Sequence, residues 1–301
     1  MLCAMSVGAV VAGLTIGAGY TAQVHGQPVA VSATPSAVSR ATRTTTTTAT
    51  PPPATSSSGP AKSPDDALAE ALAPVLANLT GQLSVGVLDV STGTSASYNG
   101  KQSFTTASIV KADILAVLLL QTQQQGISLT SGQQQAAQQM IENSDNDSAT
   151  ALWDEAGSEA GMRAANTKFG LTATDPGADD YWGLTTTTVG DQLQLLTALT
   201  TSRSPLSQAA RSYAIGLMSN IEPDQVWGVS AAADRGTTPV LKNGWLPVDA
   251  DNDLWAVNSI GQVVSGGHTF LIAVLSGSQP DEDTGIAQVS AAAKAAVKPF
   301  L

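Results

Sequence analysis

Apolar residues recur at helical spacing in some stretches of the chain and form strand-like runs in others. The helical spacing predicts a helix over residues 65–79, and two strand-like runs around a Ser-Thr-Gly-Thr turn predict a hairpin over 82–98. Residues 104–220 are mostly helical in pattern, residues 239–275 contain three strand-like runs, and an Ala-rich helix is predicted over 283–297. We therefore expect an α/β fold in which both chain ends complete one antiparallel sheet with flanking helices, and the middle forms a helical lobe.

The chain before residue 65 has a different character. Residues 1–20 carry no charge, and we interpret residues 1–26 as a signal peptide or a single N-terminal membrane anchor. Residues 27–64 are rich in Pro, Thr and Ser and lack large apolar side chains, which predicts a disordered linker. A buried helix is the alternative for the first segment, but the linker offers nothing to pack it. We expect an exported protein, extracellular or in the cell envelope, with its folded domain over 65–301.

The net charge and the small numbers of cysteine and histidine exclude several classes of function. The 301 residues contain 13 Lys and Arg against 24 Asp and Glu, and every acidic residue lies at Asp65 or later. Such a domain repels phosphate backbones, so we expect no nucleic-acid partner. The single cysteine is Cys3, and only His268 of the two histidines falls inside the domain. A cysteine nucleophile and a multi-His metal site are therefore excluded, we expect no cofactor, and a Ser-His-Asp triad could use only His268.

Ser108 and Lys111 are the first candidates for chemistry. They lie three residues apart at the start of a run that is apolar on every face, which predicts a fully buried helix with both side chains on one side. We expect a preceding threonine to provide the N-cap. A desolvated lysine has a lowered pKa and could serve as the general base for a serine without histidine. The alternative is an unreactive lysine beside a helix-capping serine.

Two further motifs follow in order. Ser144-Asp145-Asn146 precedes an apolar helical pattern, and Lys242-Asn243-Gly244 lies on a strand-like run. Taken alone, the first motif is typical of a helix N-cap and the second of a strand that enters a turn. Together with Ser-x-x-Lys, the set resembles the signature of penicillin-recognising serine hydrolases, and of class A β-lactamases in particular. The resemblance spans residues 65–301 and implies the β-lactamase/transpeptidase-like fold.

The resemblance implies a role for each motif residue. Ser108 would be the acylated nucleophile and Lys111 its proton acceptor. Ser144 would pass a proton to the leaving nitrogen, while Lys242 would hold the Ser144 hydroxyl and attract the substrate carboxylate. Asn146 would bind the side-chain amide of the substrate.

Two further residues, Asn243 within the last motif and Trp245 directly after it, complete the candidate site. The resemblance implies an oxyanion hole made of the backbone N–H groups of Ser108 and Trp245. Asn243 stands where the family usually has Thr or Ser, and we expect its amide to donate to a substrate carboxylate.

The segment 168–188 departs from the class A pattern. It is shorter than expected and has no Glu, although class A enzymes use a Glu there to activate the deacylating water. The carboxylates present are Asp175, Asp179 and Asp180, and we favour for them a role in capping Thr-rich turns. Acylation machinery is therefore predicted, and deacylation machinery is absent or replaced.

The sequence therefore predicts an exported, monomeric serine hydrolase that acts on a small molecule, a β-lactam or a cell-wall-like amide, through acyl-Ser108. The first alternative is a penicillin-binding D,D-peptidase-type enzyme with slow deacylation. The second is a non-catalytic envelope protein that binds a cell-wall component. The presence of Ser108, Lys111, Ser144 and Lys242 argues against the second, because a binding protein needs no such set.

Overall fold

The computed structural model describes residues 62–301. The predicted signal or anchor over 1–26 and the linker up to residue 61 lie outside the described residues. The first helix begins at Pro64, because proline is tolerated in the first turn of a helix. The Ser63 hydroxyl caps this helix by accepting a hydrogen bond from the Asp66 amide at 3.1 Å. This helix therefore starts one residue before the helix predicted over 65–79.

Within residues 62–301 the chain forms eight α-helices and seven strands, joined by short 3₁₀ turns. The helices are α1 (Pro64–Leu76), α2 (Val110–Gln125), α3 (Ser131–Glu142), α4 (Asn146–Glu155), α5 (Ser158–Phe169), α6 (Val189–Thr200), α7 (Gln208–Met218) and α8 (Glu282–Ala296). The strands are β1 (Gln82–Asp89), β2 (Ser95–Tyr98), β3 (Phe104–Thr105), β4 (Thr186–Thr187), β5 (Val240–Val248), β6 (Leu254–Ser265) and β7 (His268–Gly277).

The main sheet is built from both ends of the chain. Its strand order is β2-β1-β7-β6-β5, and every neighbouring pair is antiparallel. The N-terminal hairpin joins the C-terminal strands where β1 pairs with β7, with Val85 opposite Val274. This confirms the predicted fold class.

Helices cover both faces of this sheet. On one face α1 and α8 enclose a core that includes Leu72, Phe270 and Val289. The other face packs against α6 and the helical lobe, whose core includes α2 residues such as Leu115. Twelve of the sixteen residues of α2 are buried, as its all-round apolar pattern predicts.

A carboxyl group lies inside this core. Asp113 on α2 is buried and accepts a hydrogen bond from Asn166 Nδ2 on α5 at 3.0 Å. Burial raises the pKa of Asp113 to about 7, and the nearby Asp191 carboxylate acts in the same direction.

Within residues 62–301, no helix combines the length and the apolar character needed to cross a lipid bilayer.

Candidate active site

Ser108 lies on a sharp turn between a short strand and the buried helix. A 3₁₀ turn over Ala107–Ile109 leads into α2, and Ala107 has a φ of +49°, in the left-handed region. The predicted threonine N-cap is wrong, because Thr106 makes no side-chain cap and its hydroxyl is buried without a partner. The left-handed Ala107 turns the chain before the helix can begin, and this leaves Ser108 half-buried at its entrance.

Polar contacts fix this turn from two sides. Asn258 on β6 donates to the backbone carbonyls of Thr105 and Thr106 at 2.8 and 3.0 Å, and accepts from the Ser276 amide at 3.0 Å. The Thr106 amide in turn donates to the Thr185 carbonyl at 2.8 Å. Strands β6 and β7, together with the four threonines 185–188 that precede α6, thus hold the backbone that carries Ser108.

Gly244 explains why the third motif ends in glycine. A Cβ atom built on it would lie 2.5 Å from the Ser108 amide nitrogen and 2.6 Å from that of Ile109. Because such contacts are impossible for a real side chain, only glycine lets β5, the edge strand, approach the turn at Ser108 this closely. Trp245, the next residue on β5, is thereby brought beside Ser108.

Lys111 is completely buried in the first turn of α2. Its Nζ donates to the Ser144 carbonyl at 2.6 Å, to Ser144 Oγ at 3.1 Å and to Asn146 Oδ1 at 2.8 Å. The Trp182 ring centroid lies 4.9 Å away. Burial lowers the pKa of Lys111 to about 8, although the Asp145 carboxylate acts in the opposite direction. Within residues 62–301 no hydrogen bond joins Lys111 to Ser108 in this conformation.

Ser144 connects the two lysines. Lys242 Nζ donates to Ser144 Oγ and to the backbone carbonyl of Asn243, each at 3.0 Å. Burial lowers the pKa of Lys242 well below its ordinary value, and the Lys111 charge adds to this effect. Ser144 has a φ of +56°, and Asp145 after it caps α4 through the Ser148 amide at 2.7 Å. The N-cap interpretation of this motif therefore holds for Asp145, while Ser144 faces the lysines.

A cavity of about 680 Å³ opens beside this cluster. Three predicted site residues, Ser108, Asn146 and Trp245, line it. Trp182 belongs to the same lining, and its Nε1 donates to Thr150 Oγ1 on α4 at 3.1 Å. The structure thus places the predicted nucleophile at a cavity large enough for a small-molecule substrate.

The structure does not bring the Asn243 side chain to this cavity. Asn243 is buried, and its Nδ2 donates to the carbonyls of Gln225 and Trp227 at 2.7 and 3.3 Å. Neighbouring residues on a strand point to opposite faces, so the orientation of Lys242 toward Ser144 turns Asn243 away. Its expected contact with a substrate carboxylate finds no support in this geometry.

The three carboxylates of the segment 168–188 have different surroundings. Asp175 forms an ion pair with Arg163 at 2.5 Å and pairs its backbone with Thr186. Asp180 lines the cavity and accepts from Trp153 Nε1 at 3.4 Å, whereas Asp179 is exposed and lies outside the lining. Within residues 62–301 none of the three side chains accepts a hydrogen bond from a Thr-rich turn, so the expected capping role finds no support in this geometry.

His268 has no place in this site. It begins β7, whereas the other end of that strand, Gly277, faces Phe104 next to the turn at Ser108. Ten strand residues span about 30 Å. The His268 Nδ1 atom instead pairs with Asp89 at 2.9 Å.

Sequence reasoning missed part of the site. The Trp182 contact with Lys111 and the wall formed by Leu246 to Val248 were not predicted, because a loop and a strand extension carry no periodic signal. Asn258 was missed as well. A signal existed for it, since a polar residue inside an apolar strand needs a hydrogen-bonding partner.

Comparisons with known proteins agree with this fold. A class A beta-lactamase from Bacteroides cellulosilyticus aligns over 80% of this chain and 99% of its own, with a TM-score of 0.68 and 14% identity. The TLA-1 extended spectrum beta-lactamase aligns over 78% of this chain and 99% of its own, with a TM-score of 0.69 and 17% identity. At such identities the likeness concerns the fold alone.

Sequence comparison adds a relative and a family. "Putative lipoprotein LppW" of Mycobacterium tuberculosis and of Mycobacterium bovis is 26% identical over 240 residues, which cover 74% of each chain. The model of the Beta-lactamase enzyme family matches residues 67–133 and 132–300, and thus most of the chain. The resemblance inferred from the three motifs is confirmed, and the chain belongs to the beta-lactamase enzyme family.

Proposed function

We propose that this protein is a serine hydrolase that cleaves β-lactams or related amides through an acyl-Ser108 intermediate. One observation carries the proposal. The hydroxyl of Ser144 lies 3.1 Å from Lys111 Nζ and 3.0 Å from Lys242 Nζ, beside a cavity lined by Ser108. A hydroxyl between two buried amines can relay a proton, which acyl transfer from an amide requires.

The acylation step uses these groups in sequence. Ser108 Oγ attacks the carbonyl carbon and forms an O–C bond, while Lys111, as the free amine, takes the hydroxyl proton. The negative charge that develops on the carbonyl oxygen is stabilised by the backbone N–H groups of Ser108 and Trp245. When the C–N bond breaks, Ser144 gives its proton to the leaving nitrogen and regains one from the Lys111 ammonium. The product is an ester of Ser108 and a free amine.

Asn146 would orient the substrate. Its Oδ1 accepts from Lys111 Nζ at 2.8 Å, so its Nδ2 group is the part that remains to donate to a substrate carbonyl. Asn146 also lines the cavity.

A second candidate is a penicillin-binding enzyme with a slow second step. Trp182 covers Lys111 at 4.9 Å, in the segment where the sequence has no Glu. An apolar ring at this place excludes water from the amine. A water that attacks the Ser108 ester would then lack a base, and the ester would persist.

We also propose that the protein works in the cell envelope. The support is the uncharged N-terminal run followed by a Pro/Thr/Ser-rich segment, together with the name "lipoprotein" carried by the mycobacterial relatives.

Turnover assays distinguish these functions. A β-lactamase hydrolyses a chromogenic cephalosporin over many cycles, and a D,D-peptidase releases D-alanine from a cell-wall stem peptide. We expect either activity to disappear in Ser108→Ala and Lys111→Met, while Ser103→Ala, an exposed serine five residues earlier, keeps it. Activity that survives Ser108→Ala would refute the proposed nucleophile.

A further inference from the structure

The charged side chains that line the Ser108 cavity are acidic. Asp180 and Asp249 both line it, and both are exposed. In the lining, which belongs to the described residues 62–301, there is no lysine or arginine. A substrate that enters the cavity therefore meets two carboxylates and no cationic side chain.

The two active-site lysines do not replace this missing cation. Lys242 has no exposed surface, and its Nζ is held by Ser144 Oγ and the Asn243 carbonyl. Burial lowers the pKa of Lys242 well below its ordinary value, because its charged form is removed from water. Lys111 is equally buried, donates to three oxygens and has the Trp182 ring beside it. The expected attraction between Lys242 and a substrate carboxylate therefore has no open path.

Most of the remaining cavity wall is apolar, apart from Thr105, Ser108 and Asn146. Trp182, Leu184, Trp245, Leu246 and Val248 line it together with Tyr181. Tyr181 and Leu184 are 66% and 46% exposed, so part of this apolar surface faces water. A bound apolar group would remove this surface from water and gain free energy in proportion to the area covered.

We propose that the cavity selects an uncharged acyl substrate with a large apolar group, and that it discriminates against a carboxylate beside the reacting carbonyl. This inference rests on the proposed acylation of Ser108. A carboxylate in this position would lose water against apolar walls without gaining a cationic partner, and it would be repelled by Asp180 and Asp249.

A matched pair of substrates tests the inference. Benzylpenicillin and its methyl ester share the lactam ring and the side chain, and differ in the charge of the carboxyl group. We expect the ester to acylate Ser108 at least about tenfold faster, after each rate is divided by the hydroxide hydrolysis rate of the same lactam. A normalised rate that is equal, or higher for the free acid, overturns the inference and leaves the proposed function intact. If neither compound is consumed or bound at Ser108, the proposed function fails and this inference fails with it.

Substitution of the two cavity carboxylates connects the discrimination to its cause. In the double variant Asp180→Asn/Asp249→Asn, we expect the ester-to-acid rate ratio to fall at least about threefold in low-salt buffer. Asp179→Asn is the matched control, because Asp179 is adjacent and exposed but does not line the cavity. An unchanged ratio in the double variant, or an equal fall in Asp179→Asn, overturns the assignment of the discrimination to these carboxylates.

Discussion

The pH dependence of acylation follows from the buried position of Lys111. With a pKa of about 8, about one tenth of this side chain is the free amine at pH 7. In a lysine with the ordinary pKa of 10.5, the fraction of free amine at pH 7 would be some 300-fold smaller. This factor corresponds to roughly 3 kcal/mol in the free energy of deprotonation. In the proposed mechanism, the burial of this one amine would therefore supply the free base that accepts the Ser108 proton near neutral pH.

The acylation rate should follow this titration. Between pH 6 and 7 we expect a rise of about tenfold, and above pH 9 a plateau, because Lys111 is then almost fully neutral. The measurement is the rate of formation of the Ser108 adduct with benzylpenicillin between pH 6 and 10, where the drug itself does not titrate. A rate that continues to rise tenfold per unit above pH 9 would show hydroxide-driven chemistry and refute Lys111 as the base.

Asp145→Asn moves the midpoint in a direction fixed by the structure. The Asp145 carboxylate raises the pKa of Lys111, so its neutralisation should shift the acylation profile to lower pH. Asparagine is also a good N-cap, so the bond to the Ser148 amide can be kept. Asp147→Asn, in the first turn of α4, serves as the control and should leave the midpoint in place. A shift of the Asp145→Asn midpoint to higher pH would contradict the account.

Three further predictions concern the scaffold. Gly244→Ala should push β5 away from Ser108 and reduce acylation by about 100-fold, whereas Gly216→Ala, with open space around its Cβ, should keep acylation at the wild-type rate. Asn243→Ala should lower the free energy of unfolding in urea by about 1–3 kcal/mol, because two carbonyls lose their donor, and leave the KM for β-lactams unchanged. Asp113→Asn should raise the free energy of unfolding at pH 8 by up to about 4 kcal/mol, because the carboxyl pKa is about 7 in the fold against 3.8 in the unfolded chain. Between those two values the wild type loses stability as pH rises, so thermal melts should show the advantage of the variant vanish below pH 4.

The sequence predicted the parts of the molecule that local pattern determines. Ser108 and Lys111 could be placed on one side of a buried helix because three residues are nearly one helical turn, and the apolar pattern of α2 left no exposed face. The two further motifs then identified Ser144 and Lys242, which the fold brings together although they are 98 residues apart. Spacing alone could not show that contact, and the resemblance to a family supplied it.

The remaining features depend on tertiary geometry. The direction of the Asn243 side chain follows from strand alternation once Lys242 is known to face Ser144. The order of residues in the motif does not by itself show which face each side chain takes. The left-handed turn at Ala107 is held by Asn258, which lies more than 150 residues away along the chain. The Trp182 contact with Lys111 comes from an aperiodic segment, where no pattern predicts a position.

The central claim is that Ser108 becomes acylated, and intact-protein mass spectrometry tests it most directly. The purified chain and Ser108→Ala are incubated with benzylpenicillin and with its methyl ester, and the protein mass and the remaining drug are followed from seconds to hours. We predict an adduct with the full mass of the drug, or consumption of drug where deacylation is fast, and the loss of both in Ser108→Ala. Intact drug and unmodified wild-type protein after hours with either compound would contradict the account.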